Sequence, residues 1–435
     1  MAGKKEEKPF NKCLLLILIG LMILTGSINT IFNKILQKLY GLEIIFEQHH
    51  WVITFGMFCG ELVSIFLYIY IVYKRKKQIK LKENTTNLAN DNEEAGETDD
   101  DKKEEGEDEK KKPPIPNNFY FIITAGCDLM ATTINTFGLT YLTTSMFQMM
   151  RGLELFFVCV WSKVFLKNPQ YRHNILGVGT LIFGLSLVGL NAILNDNKKV
   201  AKNPVVGIIL LATSQFFSST EYVFQEKFIK HYDVHPFQLV GFEGLWGVTM
   251  YTIMLIIFQN VSCDDWSDSI KEGLCFKNNE DKWHIEDTIF AFQQMWDNKA
   301  LLIVYIFYVV SIALYNIVGI NLTKLVSSTA RAVVDTVRTV FIWLFFLFFT
   351  PVDGTEEEFH ILQFIGFCFL VLGTLVYNEI IVLKFWKLDY YTRDNIAKRK
   401  KEEKEKEEGK DGKDGKEPDP DGKLYTSGRE SDVQE

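Results

Sequence analysis

The chain has 435 residues, of which 47% are hydrophobic, and its formal net charge is −8. The acid excess argues against a nucleic-acid-binding protein, because binding to phosphates requires a basic surface. The average composition conceals apolar runs of about 20 residues, which is long enough to cross the hydrocarbon core of a bilayer. These runs alternate with strongly charged segments and predict an all-α integral membrane protein.

We predict ten transmembrane helices. In chain order they cover residues 13–32, 51–73, 119–142, 145–166, 173–194, 204–224, 236–258, 300–322, 327–349 and 361–383. An even number places both termini on one face, and basic residues in short flanks mark the cytosolic face. Most basic flanks share one face, namely those near residues 4–12, 74–77, 163–172 and 384–387. Three lysines at 198–202 oppose the assignment, but we expect both termini, including residues 1–12, to be cytosolic.

Three segments between or after the spans are polar. Residues 74–117 contain thirteen Asp or Glu and two Lys between positions 83 and 109. The tail 384–435 alternates Lys with Glu from residue 398 onward. Neither has apolar residues to bury, so both are predicted to be disordered and cytosolic. The loop 259–298 is predicted to be lumenal and contains Cys263 and Cys275. An oxidising lumen favours a disulfide between them, with free thiols as the alternative. Within this loop, residues 287–296 predict an amphipathic helix.

The chain shows a weak internal repeat that relates residues 13–194 to residues 204–383. HHWVITFG at 49–56 aligns with VHPFQLVG at 234–241, and two glycines seven residues apart occur in both the fifth and the tenth span. Asn135 and Asn316 occupy matching positions in the third and eighth spans. Because five is odd, the second copy enters the membrane from the opposite face. The prediction is therefore two inverted five-helix repeats, with the solute site between them near the midplane.

Several motifs resemble those of the drug/metabolite transporter superfamily. They are TGSINT at 25–30, SMFQMMRG at 145–152, HPFQLVGFEGLWG at 235–247 and STARAVVDTVRTVFIW at 328–343. Within that superfamily the chain is similar to solute carrier family 35, subfamily F, and more distantly to the chloroquine-resistance transporters. The resemblance implies ten helices, no covalent chemistry, and movement of an organic solute across an endomembrane. The acidic insertion after the second span departs from the family pattern.

Polar and charged side chains inside spans are expensive and are therefore candidates for function. The candidates for solute binding or coupling are Glu61, Asp128, Gln148, Arg151, Glu243, Asn316, Arg331, Asp335 and Arg338. The last three follow an i, i+4, i+7 spacing, which places them on one helical face. Our hypothesis is that Asp335 neutralises Arg331, which leaves Arg338 to grip an anionic group of the solute with its planar fork.

Two alternatives concern these charges. Arg331 with Asp335, and Arg151 with Glu154, could be purely structural pairs. Glu61 and Asp128 could carry a coupling proton, because a low dielectric favours the neutral form of a carboxylic acid.

The sequence thus predicts a secondary transporter that moves a small polar organic solute by alternating access, with protons as a candidate coupling ion. The expected location is a lysosomal or vacuolar membrane, with Golgi, endoplasmic reticulum and mitochondrial membranes as alternatives. We find no enzyme motif, metal site, cofactor site or nucleic-acid-binding feature in the sequence. A homodimer is a candidate assembly. The competing function is a non-transporting membrane adaptor that acts through the charged tails.

Overall fold

The computed structural model describes residues 12–38, 49–93, 117–142, 144–194, 204–265, 275–277, 283–348, 360–377 and shorter stretches between 379 and 402. Within these residues the fold is almost entirely α-helical. The helices are α1 Lys12–Lys38, α2 His50–Glu93, α3 Ile122–Tyr141, α4 Thr144–Met150, α5 Leu153–Phe165, α6 Arg172–Leu194, α7 Pro204–His231, α8 Pro236–Asn260, α9 Thr288–Asp297, α10 Lys299–Leu325, α11 Ser328–Phe348 and α12 Ile361–Tyr377. Two short strands, β1 Phe276–Lys277 and β2 Trp283–His284, pair antiparallel.

Five helices are long and apolar enough to cross a membrane, and they coincide with predicted spans. They cover Cys13–Asn33, His50–Leu81, Arg172–Asn191, Pro236–Asn260 and Lys299–Leu325. The protein is therefore an α-helical membrane protein. The remaining predicted spans coincide with the shorter apolar helix α12 and with α3, α4 and α5, α7 and α11. The helices α3, α7 and α11 contain buried charged side chains, which lowers their mean hydropathy.

The fourth predicted span is not one continuous helix. α4 ends at Met150 and α5 begins at Leu153, so the prediction of an uninterrupted helix over 145–166 is wrong. Gly152 lies in the break, and its amide donates to the carbonyl of Met149 at 3.1 Å instead of continuing the α-helical pattern. Glycine weakens a helix interior, and here it also admits Leu370 of α12, which a Cβ at Gly152 would approach to 2.9 Å.

Two segments predicted to be disordered are partly ordered. α2 continues to Glu93, so residues 74–93 are helical. The lysines between residues 74 and 82 are good helix formers and extend the helix beyond the apolar span. Residues 94–116 lie outside the described part. After α12, Leu388 and Thr392 are buried, and the ring of Tyr391 stacks on Tyr171 with centroids 5.1 Å apart. The predicted disorder is therefore wrong for residues 388–392, and residues 403–435 are not described.

Helices from before residue 194 pair with helices from after residue 204. The main pairs are α1 with α10, α2 with α8, α3 with α7, and α6 with α12. α4 and α5 contact α11, α5 also contacts α7, and α1 contacts α11. Lipid supplies no hydrophobic driving force for such association, so close van der Waals packing must hold these pairs together.

The crossing of α6 and α12 is the tightest example of this packing. Gly177 faces Gly373, and Gly184 faces Gly366. A Cβ at Gly184 would lie 2.5 Å from the carbonyl oxygen of Gly366, and a Cβ at Gly366 would lie 2.7 Å from the carbonyl oxygen of Gly184. The order of these contacts makes the two helices antiparallel. The glycine pattern of the fifth and tenth spans is thus confirmed as a packing face.

The segment between α8 and α10 is anchored at several points. Cys263 and Cys275 are joined by a disulfide. Asp287 caps the amphipathic helix α9, since its Oδ1 accepts from the amide of Phe290 at 3.0 Å. Glu286 contacts the imidazole of His49, and both side chains are fully buried. The residue before α2 is therefore held against this segment.

The disulfide can be tested by thiol labelling. Without a reductant, a membrane-permeable maleimide should label neither Cys263 nor Cys275 in protein isolated from cells, whereas Cys263→Ser should expose one reactive thiol at Cys275. Mass spectrometry of the labelled peptides provides the measurement, with buried Cys159 as an internal reference for denaturation. Such a bridge requires an oxidising compartment, so full labelling of both thiols would argue against a lumenal loop.

Candidate functional site

A polar cavity of about 140 Å³ lies between the helices. Its walls come from α1, α2, α3, α4, the break between α4 and α5, α7, α10 and α11. Five of the predicted site residues line it, namely Asp128, Arg151, Asn316, Arg331 and Arg338. The turn at Arg151 and Gly152 brings the arginine to the cavity wall, so the interruption of the fourth span contributes directly to the site.

The three charged residues of α11 are buried and share one face, but their pairing differs from our hypothesis. Asp335 Oδ1 lies 3.1 Å from Arg338 Nη2. The same carboxylate accepts hydrogen bonds from the hydroxyl groups of Tyr222 and Tyr315. The ion-pair partner of Asp335 is therefore Arg338, and the prediction that Asp335 neutralises Arg331 is wrong.

Arg331 has different partners. Its Nη1 donates to Gln225 Oε1 at 2.7 Å, and its guanidinium carbon lies 3.8 Å from the centroid of the Tyr222 ring. Stacking of this kind suits guanidinium, which is planar and weakly hydrated. Gly319 leaves the space that this side chain occupies, since a Cβ there would lie 2.7 Å from Arg331 Nε.

Gln225 is the centre of an acidic cluster. Its Nε2 donates to Glu221 at 2.7 Å and to both carboxylate oxygens of Glu243 at 3.0 and 2.9 Å. One amide side chain thus connects two carboxyl groups to Arg331. Glu61, whose Oε1 accepts from Asn316 Nδ2, and Asp128 lie close enough to this cluster to interact with it electrostatically.

Glu154 was expected only as a structural partner of Arg151. Its Oε1 accepts from Ser218 of α7 at 2.6 Å, so its hydrogen-bond partner comes from another helix. Gln148 belongs to α4, and its side chain lies outside the described ones. Glu61, Glu243 and Asp335 do not line the cavity. Glu61 accepts from the lining residue Asn316, and Asp335 contacts the lining residues Tyr222, Tyr315 and Arg338.

Comparison with known proteins places the chain in a family. A sequence profile of the CRT-like, chloroquine-resistance transporter-like family matches residues 102–377. The chain belongs to this family.

Curated relatives of this CRT-like protein match most of its length. Solute carrier family 35 member F6 of Homo sapiens is 30% identical over 370 residues, which are 83% of this chain and 88% of the relative. The Rattus norvegicus protein of the same name is 29% identical over the same fractions of the two chains. An uncharacterized protein of Schizosaccharomyces pombe is 26% identical over 83% of this chain and 96% of its own. A solved crystal structure aligns with 84% of this chain and 98% of its own at a TM-score of 0.46 and 13% identity.

Sequence reasoning missed several residues of this site. Glu221 lies inside the predicted span 204–224 and meets the same criterion as the other candidates, but it is not among them. Gln225 lies one residue beyond the predicted end of that span, although α7 continues to His231. Tyr222 and Tyr315 gave no signal, because aromatic residues are common in any span. Their roles depend on helices that meet only in three dimensions.

Proposed function

We propose that the protein is a secondary transporter that moves a small polar organic solute across an endomembrane by alternating access. The cavity supports this proposal most directly, because it is polar, buried, and lined by helices from both halves of the chain. Charged groups inside a membrane protein typically mark the path of a solute or ion. The curated relatives named as solute carriers point the same way.

The helix pairs support ten spans arranged as two inverted repeats, over residues 13–194 and 204–383. Numbered as spans, the pairs are 1 with 8, 2 with 7, 3 with 6, 4 with 9, and 5 with 10. If each span is replaced by its counterpart in the other repeat, span 1 becomes span 6 and span 8 becomes span 3, so the 1–8 pair maps onto the 3–6 pair. The pairs 2–7, 4–9 and 5–10 map onto themselves. The contacts 4–6 and 9–1 exchange in the same way. A pseudo-two-fold axis in the membrane plane produces this pattern.

Contacts at the helix ends support the proposed topology, with both termini cytosolic. His49, before the second span, contacts Glu286 in the loop after the seventh, as expected if both are lumenal. Lys230 at the end of α7 donates to the carbonyl of Val326 between α10 and α11, as expected if both are cytosolic. Tyr391 after the last span stacks on Tyr171 in the turn before the fifth, also a predicted cytosolic position.

The balance of buried charge supports coupling to protons. Six buried acids surround the cavity: Glu61, Asp128, Glu154, Glu221, Glu243 and Asp335. Three guanidinium groups, those of Arg151, Arg331 and Arg338, accompany them. Unpaired carboxylates are costly in a low dielectric, so the acid excess favours the uptake of protons or of a cationic group. An acidic lumen of the lysosomal or vacuolar type would supply such protons.

The proposal is tested by metabolite profiling of the isolated organelle that holds the protein. Loss of the protein should change the content of at least one small polar solute at least severalfold. Arg338→Lys should reproduce that change at normal protein abundance, because the ammonium keeps the charge beside Asp335 but cannot form a two-pronged contact with a solute.

A chain truncated after residue 402 is the matched control. It retains the cavity and the buried residues after α12, and it should restore the normal solute profile. A profile restored by Arg338→Lys but not by the truncated chain would contradict the transporter and favour the adaptor that acts through its tail.

A further inference from the structure

We propose that the chain after α12 forms a strap across the proposed cytosolic mouth of the solute path, and that this strap must detach before a solute can pass. The strap consists of the described residues 388–392, 395, 396, 398 and 399. Two of its side chains, Tyr391 and Ile396, complete the wall of a second cavity of about 560 Å³. The inference rests on the proposed alternating access, because only a carrier needs such a path.

The second cavity lies directly beyond the central one. Its walls are formed by the ends of α5, α7 and α12 and by the starts of α6 and α11, so both halves of the chain contribute. Along α7, Tyr222 lines the central cavity and Glu226 lines the second one. Along α11, Arg331 and Ala330 divide in the same way. Four residues span only about 6 Å of helix, so a solute that leaves the central cavity toward these ends enters the second cavity.

A polar contact joins α7 to α11 at the boundary between the two cavities. Glu226 Oε2 accepts hydrogen bonds from the amide and the hydroxyl group of Ser328, which is fully buried. Lys230 Nζ donates to Glu226 Oε1 at 2.8 Å and to the carbonyl oxygen of Val326. A carboxylate is favourable at the start of a helix, because the amide groups there lack helical partners. This contact is the inner barrier of the path, and the strap lies outside it.

An aromatic contact holds the strap to the first half of the chain. The rings of Tyr391 and Tyr171 are parallel within 5°, and their centroids are 5.1 Å apart. Both tyrosines line the second cavity, yet Tyr391 is 44% exposed, so the pair lies between the cavity and the solvent. An aromatic pair of this kind changes an equilibrium by only about two- to tenfold, which suits a contact that forms and breaks reversibly.

Contacts within the strap hold its residues together. The guanidinium carbon of Arg399 lies 3.9 Å from the centroid of the Tyr390 ring, and Nη2 donates to the carbonyl oxygen of Tyr390 at 2.6 Å. Thr392 Oγ1 and Asn395 Nδ2 donate to the carbonyl oxygen of Asp389 at 2.8 and 2.7 Å. These polar groups have their partners inside the strap, so its detachment does not leave them unsatisfied.

The chain just before the strap is fixed to the helices. His173 Nε2 lies 3.1 Å from Glu379 Oε1, and Asn174 Nδ2 donates to the carbonyl oxygen of Tyr377 at 3.1 Å. The glycine contacts between α6 and α12 hold the same two helices together. The strap is therefore attached to a rigid support, and its release leaves the helices in place.

The test is the rate at which a bulky, membrane-impermeable maleimide modifies a cysteine in the second cavity of the purified full-length protein in lipid nanodiscs. The cysteine is introduced by Ala330→Cys in a chain whose five free cysteines are replaced by alanine. We expect Tyr391→Ala to raise this rate about two- to tenfold, because loss of the aromatic pair favours the detached strap. Tyr391→Phe keeps the ring and should leave the rate unchanged.

Tyr171→Ala should act like Tyr391→Ala, and the two together should add little, since both remove the same contact. Lys163→Cys is the matched control site, because it is exposed near the end of α5 and does not line the cavity. Its modification should not depend on the strap. A chain that ends at residue 384 lacks the strap and should react at least as fast as Tyr391→Ala, whereas a chain that ends at residue 402 should match the wild-type protein.

Equal rates at Ala330→Cys in the wild-type protein, in Tyr391→Ala and in the chain that ends at residue 384 would overturn the strap. An equal increase at Lys163→Cys would also overturn it, because the whole end of the protein would then have loosened. Metabolite profiling separates the two proposals. Faster modification without the strap, combined with a solute profile that does not depend on the protein, would contradict transport alone. Equal rates combined with an altered profile would contradict the strap alone.

Discussion

Asp335→Leu is expected to lower the abundance and the melting temperature of the protein strongly. The substitution would leave Arg338 buried without its counter-charge and would remove the acceptor of the Tyr222 and Tyr315 hydroxyl groups. Breaking a buried ion pair from one side typically costs about 3–5 kcal/mol, because the remaining charge has no compensation. Thermal unfolding monitored by tryptophan fluorescence, together with the yield of monodisperse protein, measures the effect.

A second substitution identifies the ion-pair partner of Asp335. The double variant Asp335→Leu with Arg338→Met should recover much of the lost stability, because replacing both members of a buried pair by apolar residues costs far less than stranding one. The matched double variant Asp335→Leu with Arg331→Met should not recover it. Arg331 binds Gln225, and its loss would also leave the Glu221 and Glu243 cluster without its guanidinium. Rescue through Arg331 instead would support the pairing expected from sequence.

Gly184→Val is expected to disrupt the crossing of α6 and α12. A Cβ at this position would lie 2.5 Å from a carbonyl oxygen and 2.6 Å from the amide nitrogen of Leu370, and neither backbone atom can move without separating the helices. Overpacking of this kind typically costs about 1–3 kcal/mol, and more where rigid backbone is involved. We expect a lower melting temperature and a larger aggregated fraction in size-exclusion chromatography.

Gly179→Val is the matched control. It lies on the same helix, five residues away, and a Cβ there meets nothing within 4 Å. Both variants change the intrinsic helix propensity equally, so the difference between them isolates the contact with α12. A Gly179→Val protein as unstable as Gly184→Val would show that the helix, rather than its packing, is sensitive to substitution.

Features that depend on one segment at a time can be predicted from the sequence. Hydrophobic length and composition predict the spans, because crossing the bilayer constrains each helix individually. Helical periodicity places Arg331, Asp335 and Arg338 on one face, since seven residues make about two turns. The glycine spacing of α6 and α12 likewise predicts a close approach, because small residues are what such contacts require.

Which side chains contact one another depends on how the helices pack. Asp335 is three residues from Arg338 and four from Arg331, and both spacings permit contact on a helix. The choice is made by other helices: Gln225 and Tyr222 of α7 hold Arg331 away, while Tyr222 and Tyr315 hold the carboxylate. The break before α5 and the acidic cluster around Gln225 also depend on contacts between segments distant in sequence. A local pattern can place a charge on a face, but its partner depends on which helices pack there, and that information is spread over the whole chain.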